Sequence, residues 1–151
     1  MSEAARLLKD KLLTLKDEWT FDFVAFSAEE YIPYTVPPGS ENYVENHKGE
    51  NIKWLVNIDD VANHFVYPEI AISHREKLPD IEFPYEVYEA TLAGDDKTFA
   101  YAGIPTVWIY PKKLYHVLHT AMDNLEHTDF DRMEEVTFEY MDIISKLTGL
   151  K

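Results

Sequence analysis

Apolar side chains occupy both faces of residues 104–110. Val107 and Ile109 point to one face of the strand predicted there, and Trp108 and Tyr110 point to the other. A strand that is apolar on both faces is typical of the middle of a sheet, where each face meets protein. The pattern therefore predicts a central strand.

A change from strand spacing to helical spacing follows at Pro111. Proline suits the first turn of a helix because its missing N–H has no partner there to lose. Residues 111–127 then repeat apolar positions at helical intervals: Leu114, Val117, Leu118, Ala121 and Leu125. We expect this helix to lie against the sheet of its own strand.

Two further helices are predicted at the ends of the chain. The first begins at Ser2 and carries one apolar stripe: Ala4, Leu8, Leu12, Leu15 and Trp19. The last is capped by Thr128 or Asp129 and ends at Gly149. Together with the helix over residues 111–127, it predicts an αα-hairpin.

The remaining strands are predicted from alternation and from β-branched or aromatic residues. They cover residues 19–26, 52–58, 70–73 and 85–92. Residues 93–96 have turn composition, and the alternation resumes at Phe99 and Tyr101, which predicts a β-hairpin. A short helix is expected over residues 61–65.

These elements predict an α+β fold. We expect a mostly antiparallel sheet with an N-terminal helix and a C-terminal αα-hairpin packed on one face. The chain of 151 residues, 46% of them hydrophobic, is long enough to bury a core, so residues 1–151 are expected to form a single domain. No leader peptide or long apolar run appears, so we expect a cytoplasmic protein that does not enter membranes.

The net charge of −14 is concentrated in the middle of the chain, where residues 19–102 hold 16 acidic and five basic residues. Such a surface repels phosphate backbones, so direct nucleic-acid binding is not expected. It attracts basic partners, although simple solubility is the alternative explanation.

A long segment without a recognisable helix or strand covers residues 31–51, which contain three prolines and two glycines. Loops of this length in a compact domain are often functional. Tyrosines bury large areas at contacts, so the loop is a candidate surface for a basic protein partner. The candidate binding residues are Tyr31, Tyr34, Glu41, Tyr43 and Glu45. Alternatively, the tyrosines pin the loop to the rest of the protein.

Two sets of residues suit metal chemistry. His116, His119, Asp123 and His127 fall on one stripe of the helix predicted over residues 111–127, and imidazoles with a carboxylate can bind Zn²⁺. The stripe lies opposite the apolar face, so an ordinary solvated surface is the favoured interpretation, and no cofactor is expected.

The second set lies on and near the predicted hairpin: Glu69, Glu86, Glu89, Asp95, Asp96 and Lys97. Carboxylates on adjacent strands beside a lysine loosely resemble the Mg²⁺ site of restriction-endonuclease-like folds. The acidic surroundings would repel DNA, which argues against this function.

Three classes of function remain. The leading hypothesis is an acidic protein-binding module, such as an inhibitor, immunity or anti-defence protein, that presents a negative, tyrosine-bearing surface to a basic partner. The second is a structural subunit of a viral or scaffold assembly, which includes the possibility of a homo-oligomer. The third is a metal-dependent hydrolase or nuclease-like enzyme. The sequence favours a protein that is not an enzyme.

Overall fold

The structure is a computed structural model that describes residues 6, 18–28, 38–59, 61–64, 67–89, 94–111, 117 and 119–149. Three helices and four strands lie in these ranges. In chain order they are α1 (Pro38–Asn46), β1 (Leu55–Ile58), β2 (Pro68–Ser73), β3 (Val87–Glu89), α2 (Asp96–Tyr101), β4 (Thr106–Pro111) and α3 (Phe130–Thr148). Short 3₁₀ turns occur at Arg75–Lys77 and Leu125–His127.

The four strands form one sheet in the order β1, β4, β2, β3. Strand β4 pairs in parallel with β1 and antiparallel with β2, and β2 pairs in parallel with β3. The α+β class is confirmed, but the expectation of a mostly antiparallel sheet is wrong because two of the described pairings are parallel. Alternation along a strand reports which faces are buried and carries no information on the direction of its neighbours.

Strand β4 occupies the centre predicted for it. Val107 and Ile109 are both fully buried. Their strand is hydrogen-bonded on one edge to β1 and on the other to β2. Ile109 lies opposite Ile58 of β1 and Ile70 of β2, so its side chain is enclosed by three strands and by the layer above them.

Helix α3 supplies that layer, and its limits agree with the sequence. The Asp129 carboxylate accepts a hydrogen bond from the Arg132 N–H at 2.9 Å, and Gly149 ends the helix with a φ of 71°. Five buried residues of α3 join the sheet residues in one apolar core: Val136, Tyr140, Ile143, Ile144 and Leu147. The helix therefore covers the face of the sheet that carries Val107 and Ile109.

The predicted αα-hairpin is not formed by the described residues. Strand β4 continues through Pro111, and residues 119–124 are turns. Two side chains make local hydrogen bonds in this segment: the Thr120 hydroxyl donates to the Val117 carbonyl, and the Asn124 side-chain oxygen Oδ1 accepts from the Glu126 N–H. Such local bonds compete with a helix. The predicted N-terminal helix lies outside the described residues, apart from Arg6.

The predicted hairpin after residue 85 is also wrong. Strand β3 pairs in parallel with β2. Residues 96–101, which include the Phe99 and Tyr101 expected in a returning strand, form helix α2. Asp95 and Asp96 stand at the start of this helix, where turn-forming residues are also favoured. The turn composition was therefore real, but it marks the beginning of a helix.

The structure also differs from the sequence-based predictions for residues 19–26, 31–51 and 61–65. The predicted loop over residues 31–51 contains helix α1, which starts with Pro38 at its first position. Residues 19–26 are extended but belong to no strand. Residues 61–64 form turns and an isolated bridge, so the described part of the predicted helix over residues 61–65 is not helical.

No helix among the described residues is long and apolar enough to span a membrane. The single domain over residues 1–151 stays a prediction.

A charged side chain in the buried part of strand β4 should abolish folding. Val107→Asp places a charge between two strands in a fully buried position, and we expect it to cost more than about 4 kcal/mol. Val87→Asp is the control because Val87 lies on edge strand β3 and is 40% exposed. Thermal melts followed by circular dichroism should show no cooperative transition for Val107→Asp and a near-normal one for Val87→Asp. A cooperative melt of Val107→Asp would contradict the central position of β4.

Candidate active site

An acidic edge forms where β1 and β4 end. The two strands are parallel, so their carboxyl ends lie at the same side of the sheet. Asp59 follows β1 directly and donates its N–H to the Ile109 carbonyl of β4 at 3.0 Å. Helix α2 contacts both strands. The carboxyl ends of parallel strands are the usual place for a ligand in sheets of this kind.

Asp95 and Asp96 are buried at the start of α2, with 8% and 0% of their surfaces exposed. The Gly94 N–H donates to Asp96 Oδ1 at 3.2 Å, and Ser40 donates a side-chain hydrogen bond to Asp95. Asp96 Oδ2 and Asp95 Oδ1 have no hydrogen-bond partner among the described residues. A buried polar atom without a partner costs about 1–3 kcal/mol. Packing alone therefore does not account for this pair.

Burial raises the pKa of both carboxyl groups. The pKa of Asp96 rises to about 6, mainly because burial penalises the charged form and also because Asp59 lies nearby. Backbone N–H groups of Gly94 and Lys97 oppose this rise. The pKa of Asp95 is raised by burial, and its hydrogen bond with Ser40 opposes the rise. A carboxyl group that titrates near neutral pH can take up and release protons at the pH at which most enzymes work.

The segment of residues 18–28 reaches this edge from the outer side of β1. Its Phe26 ring packs against the rings of Tyr43 and Phe99, with centroid distances of 5.8 and 5.7 Å. Ala28 then has a φ of 58°, in the left-handed region that residues with a Cβ rarely adopt. Backbone strain of this kind costs about 1–3 kcal/mol and is concentrated at functional sites.

A cavity of about 460 Å³ separates this segment from the outer edge of β1. Aromatic side chains from both sides line it, and Trp19 lies against Trp54 with a centroid distance of 4.5 Å. Residues 19–26 have no strand pairing with β1.

The loop of residues 117–129 runs beside residues 61–64. His64 N–H donates to the His127 carbonyl at 3.0 Å, and Asp129 N–H donates to the Ala62 carbonyl at 2.7 Å. The pKa of Asp129 is lowered, first by the Arg132 N–H that it accepts and also by His64. Within this loop His119 has a φ of 60°, and it is one of three described non-glycine residues with a positive φ, together with Ala28 and His74.

The described members of the candidate histidine stripe, for which a solvated surface was the favoured interpretation, do not lie on a helix. His119, Asp123 and His127 lie in turns, and His116 lies outside the described residues. The His127 Nδ1 is 3.1 Å from the Asn124 side-chain oxygen. Across the described ranges, no three His, Asp or Glu side chains are close enough to hold a metal ion.

The candidate binding residues lie on or before helix α1. Tyr31 and Tyr34 are outside the described residues, and Glu41 and Glu45 are exposed on α1. Tyr43 donates its hydroxyl to Asp22 Oδ2 at 2.7 Å and stacks on His47 at 4.0 Å. Burial, with the Asp22 contact, raises the pKa of Tyr43 to about 12. Tyr43 thus pins residues 18–28 to α1, which was the alternative interpretation of the tyrosines.

The acidic and basic set near the predicted hairpin is divided between elements. Glu69 lies opposite Tyr110, whose hydroxyl donates to Glu69 Oε2 at 3.3 Å. Glu89 lies opposite Ile72 on the other face of the sheet, because successive residues of β2 alternate. Asp95, Asp96 and Lys97 belong to the start of α2, and Glu86 precedes β3. Glu69 and Glu89 therefore cannot share one metal ion.

The acidic edge itself was missed in the sequence. Asn57 or Asp59 could cap the short helix predicted over residues 61–65, and Asp95 and Asp96 were expected in a turn. One signal was available, since Asp59 directly follows an apolar strand and the two adjacent acids directly precede the apolar residues around Phe99. What the sequence did not reveal is that β1 and the start of α2 lie side by side.

The chain also matches a known family of proteins. Residues 1–143 match the sequence profile described as "Peptidase family M28". The match covers most of the chain, so the chain belongs to peptidase family M28. The comparison with curated proteins finds no match.

A solved structure has the same fold. It is BSAP, a zinc aminopeptidase from Bacillus subtilis, which superposes with a TM-score of 0.67 at 20% sequence identity. The alignment covers 95% of this chain and 39% of the aminopeptidase chain. At this identity the likeness shows the fold alone.

Family membership overturns the leading functional hypothesis. An acidic binding module, an inhibitor and a viral or scaffold subunit are all wrong, because the chain belongs to a family of peptidases. The expectation of a protein that is not an enzyme is wrong for the same reason. Charge counted along the sequence does not separate surface carboxylates from buried ones, and Glu69, Asp95 and Asp96 are buried. The expected partners and cytoplasmic location stay predictions.

Replacing Asp96 should change how stability depends on pH. The raised pKa means that the folded state favours the protonated acid. The contribution of Asp96 to the free energy of unfolding is therefore greatest below about pH 4 and is lost as the pH rises through about 6. A shift of about two units corresponds to about 3 kcal/mol, so Asp96→Asn should stabilise the fold by up to that amount at pH 7.5. Denaturant unfolding without added metal, from pH 4 to 8, measures the effect.

The matched control is Asp80→Asn, on a fully exposed side chain, which should retain the pH dependence of the unaltered protein. An Asp96→Asn variant that unfolds with the same pH dependence as the unaltered protein would contradict the burial of an uncompensated carboxyl group.

Proposed function

We propose that this chain forms part of a metal-dependent peptidase whose catalytic centre includes the acidic edge at Asp59 and Asp96. The observation that supports this most strongly is the buried Asp96 carboxyl group beside Asp59, which follows β1, in a chain that belongs to a family of peptidases. The chain spans 39% of the aminopeptidase with which it shares its fold, so the activity of a whole peptidase is part of the proposal.

Asp59 and Asp96 have different proposed roles. Asp59 is half-buried at the end of β1 and would act as an oxygen donor to a metal or to a water. Asp96 is completely buried, and its raised pKa means that it takes up a proton at a higher pH than an exposed aspartate does. Peptide hydrolysis requires a proton to leave the attacking water and another to reach the departing amine, so a carboxyl group with a pKa of about 6 suits this reaction.

Zinc is the proposed metal, by analogy with the aminopeptidase of the same fold. It takes carboxylate oxygen and imidazole nitrogen, and a catalytic site usually has three protein ligands. Asp59 and His119 offer the two donor types, but the residues with described positions include no group of three. They do not complete a zinc site on their own, so we derive no reaction step through the metal.

The proposed substrate is a peptide with a free α-amino group, because the net charge of −14 favours encounter with a cation.

Loss of Asp59 should abolish hydrolysis. In assays with leucine p-nitroanilide and added zinc, we expect Asp59→Asn to lower kcat/KM by about 100-fold, the effect of removing a group that acts at the reacting centre. Asp80→Asn is the control and should leave the rate unchanged. Equal rates for Asp59→Asn and Asp80→Asn would remove Asp59 from the centre, and an unaltered protein without zinc-dependent hydrolysis would refute the activity.

Zinc binding measured by calorimetry tests the donors separately. We expect His119→Ala to weaken binding at least tenfold, because it removes a proposed donor. His127→Ala is the control, since His127 is engaged by Asn124. If His127→Ala weakens binding as much as His119→Ala, the histidine stripe that was the less favoured interpretation of the sequence is the better site.

A further inference from the structure

The first turn of α1 fills the space between the strained turn at Ala28 and the acidic residues of α2. Gly39 is the residue in contact with the strained turn. A Cβ placed on Gly39 would lie 2.3 Å from the Ser27 carbonyl oxygen and 2.7 Å from the Ser27 nitrogen. Both atoms belong to the backbone, so the chain itself would have to move. Only a hydrogen fits at this position.

Ser40, the next residue, reaches the opposite side. It is completely buried, and its Oγ lies 3.0 Å from Thr98 Oγ1 of α2. It also makes a side-chain hydrogen bond with Asp95. Two consecutive residues of α1 therefore contact the Ser27 backbone on one side and the start of α2 on the other.

A strained residue keeps its conformation only when its surroundings hold it. The left-handed conformation of Ala28 is unfavourable because its Cβ lies too close to the following carbonyl oxygen. On one side the ring of Phe26 is packed between Tyr43 and Phe99. On the other side the close approach of Gly39 fixes Ser27. These contacts supply the restraint for the turn.

We propose that Gly39 and Ser40 are positioning residues that hold the Ser27–Ala28 turn at a fixed separation from Asp95 and Asp96. They act through Ser27 and through Asp95 and Thr98, and not by touching a substrate. The inference rests on the proposed function in one respect, namely that the acidic edge belongs to a peptidase centre. A displacement of about 1 Å in such a centre can lower the rate about 100-fold.

The experiment compares two glycines of α1 and the turn that follows it. Gly39→Ala introduces the clash with Ser27, whereas Gly49→Ala meets no atom within 4 Å. Hydrogen exchange followed by mass spectrometry is measured for residues 18–28, and kcat and KM are measured with leucine p-nitroanilide in the presence of zinc. For Gly39→Ala we expect exchange in residues 18–28 to become at least tenfold faster, kcat to fall about 100-fold and KM to change less than threefold. Gly49→Ala should match the unaltered protein in all three.

A second pair of variants covers the case in which Gly39→Ala does not fold. Thr98→Val removes the hydroxyl next to Ser40 at nearly constant shape, and Thr98→Ser keeps it. We expect kcat to fall several-fold in Thr98→Val and to recover in Thr98→Ser, again with little change in KM. The loss of one hydrogen bond between neutral groups has about this effect.

The outcomes separate this inference from the proposed function. The positioning role is overturned if Gly39→Ala behaves like Gly49→Ala in exchange and in kcat. It is also overturned if the Gly39→Ala chain fails to fold and Thr98→Val retains full kcat. If the unaltered protein neither binds zinc nor hydrolyses the substrate, the proposed function fails. Exchange in residues 18–28 then still decides whether Gly39 holds the turn, because it is measured without catalysis.

Discussion

The described sheet depends on the pairing of β4 along both of its edges. Without β4, strand β1 would have no described partner, and β2 would keep only the short strand β3. The same strand presents Val107 and Ile109 to the core under α3 and carries the sheet to the edge where Asp59 lies. Core and candidate site are therefore fixed by one set of backbone hydrogen bonds, since β1 and Asp59 take their positions from β4.

The acidic edge, unlike the apolar core, contains several features that are unfavourable for stability. Buried oxygens of Asp95 and Asp96 lack partners among the described residues, the pKa of Asp96 is raised, and the neighbouring Ala28 adopts a backbone conformation that is unfavourable for a residue with a Cβ. Each of these features costs stability, and a fold keeps such costs together mainly where function requires them. Membership of a peptidase family provides that requirement. The well-packed core between α3 and the sheet supplies the stability that offsets it.

The sequence was most informative where one local signal was sufficient. Both apolar faces of β4 predicted its central position, and the caps at Asp129 and Gly149 predicted the limits of α3. Prediction from the sequence failed where the same amino-acid composition suits two different local structures. The residues Gly94, Asp95 and Asp96 fit a hairpin turn as well as a helix start, and only contact with β1 and β4 favours the helix. The site was hidden for a related reason, because Asp59 and Asp96 come together through tertiary packing.

The order of strands in the sheet has a consequence for how the chain folds during synthesis. Leu55 of β1 must pair with Thr106 of β4, and Ser73 of β2 must pair with the same residue. Both earlier strands therefore leave the ribosome before the strand that joins them exists, and closing such distant contacts carries an entropic cost that slows folding. Only the ladder between β2 and β3 can form early. Until β4 emerges, the apolar residues of β1 and β2 remain exposed, and this is the period in which a chaperone would have most to protect.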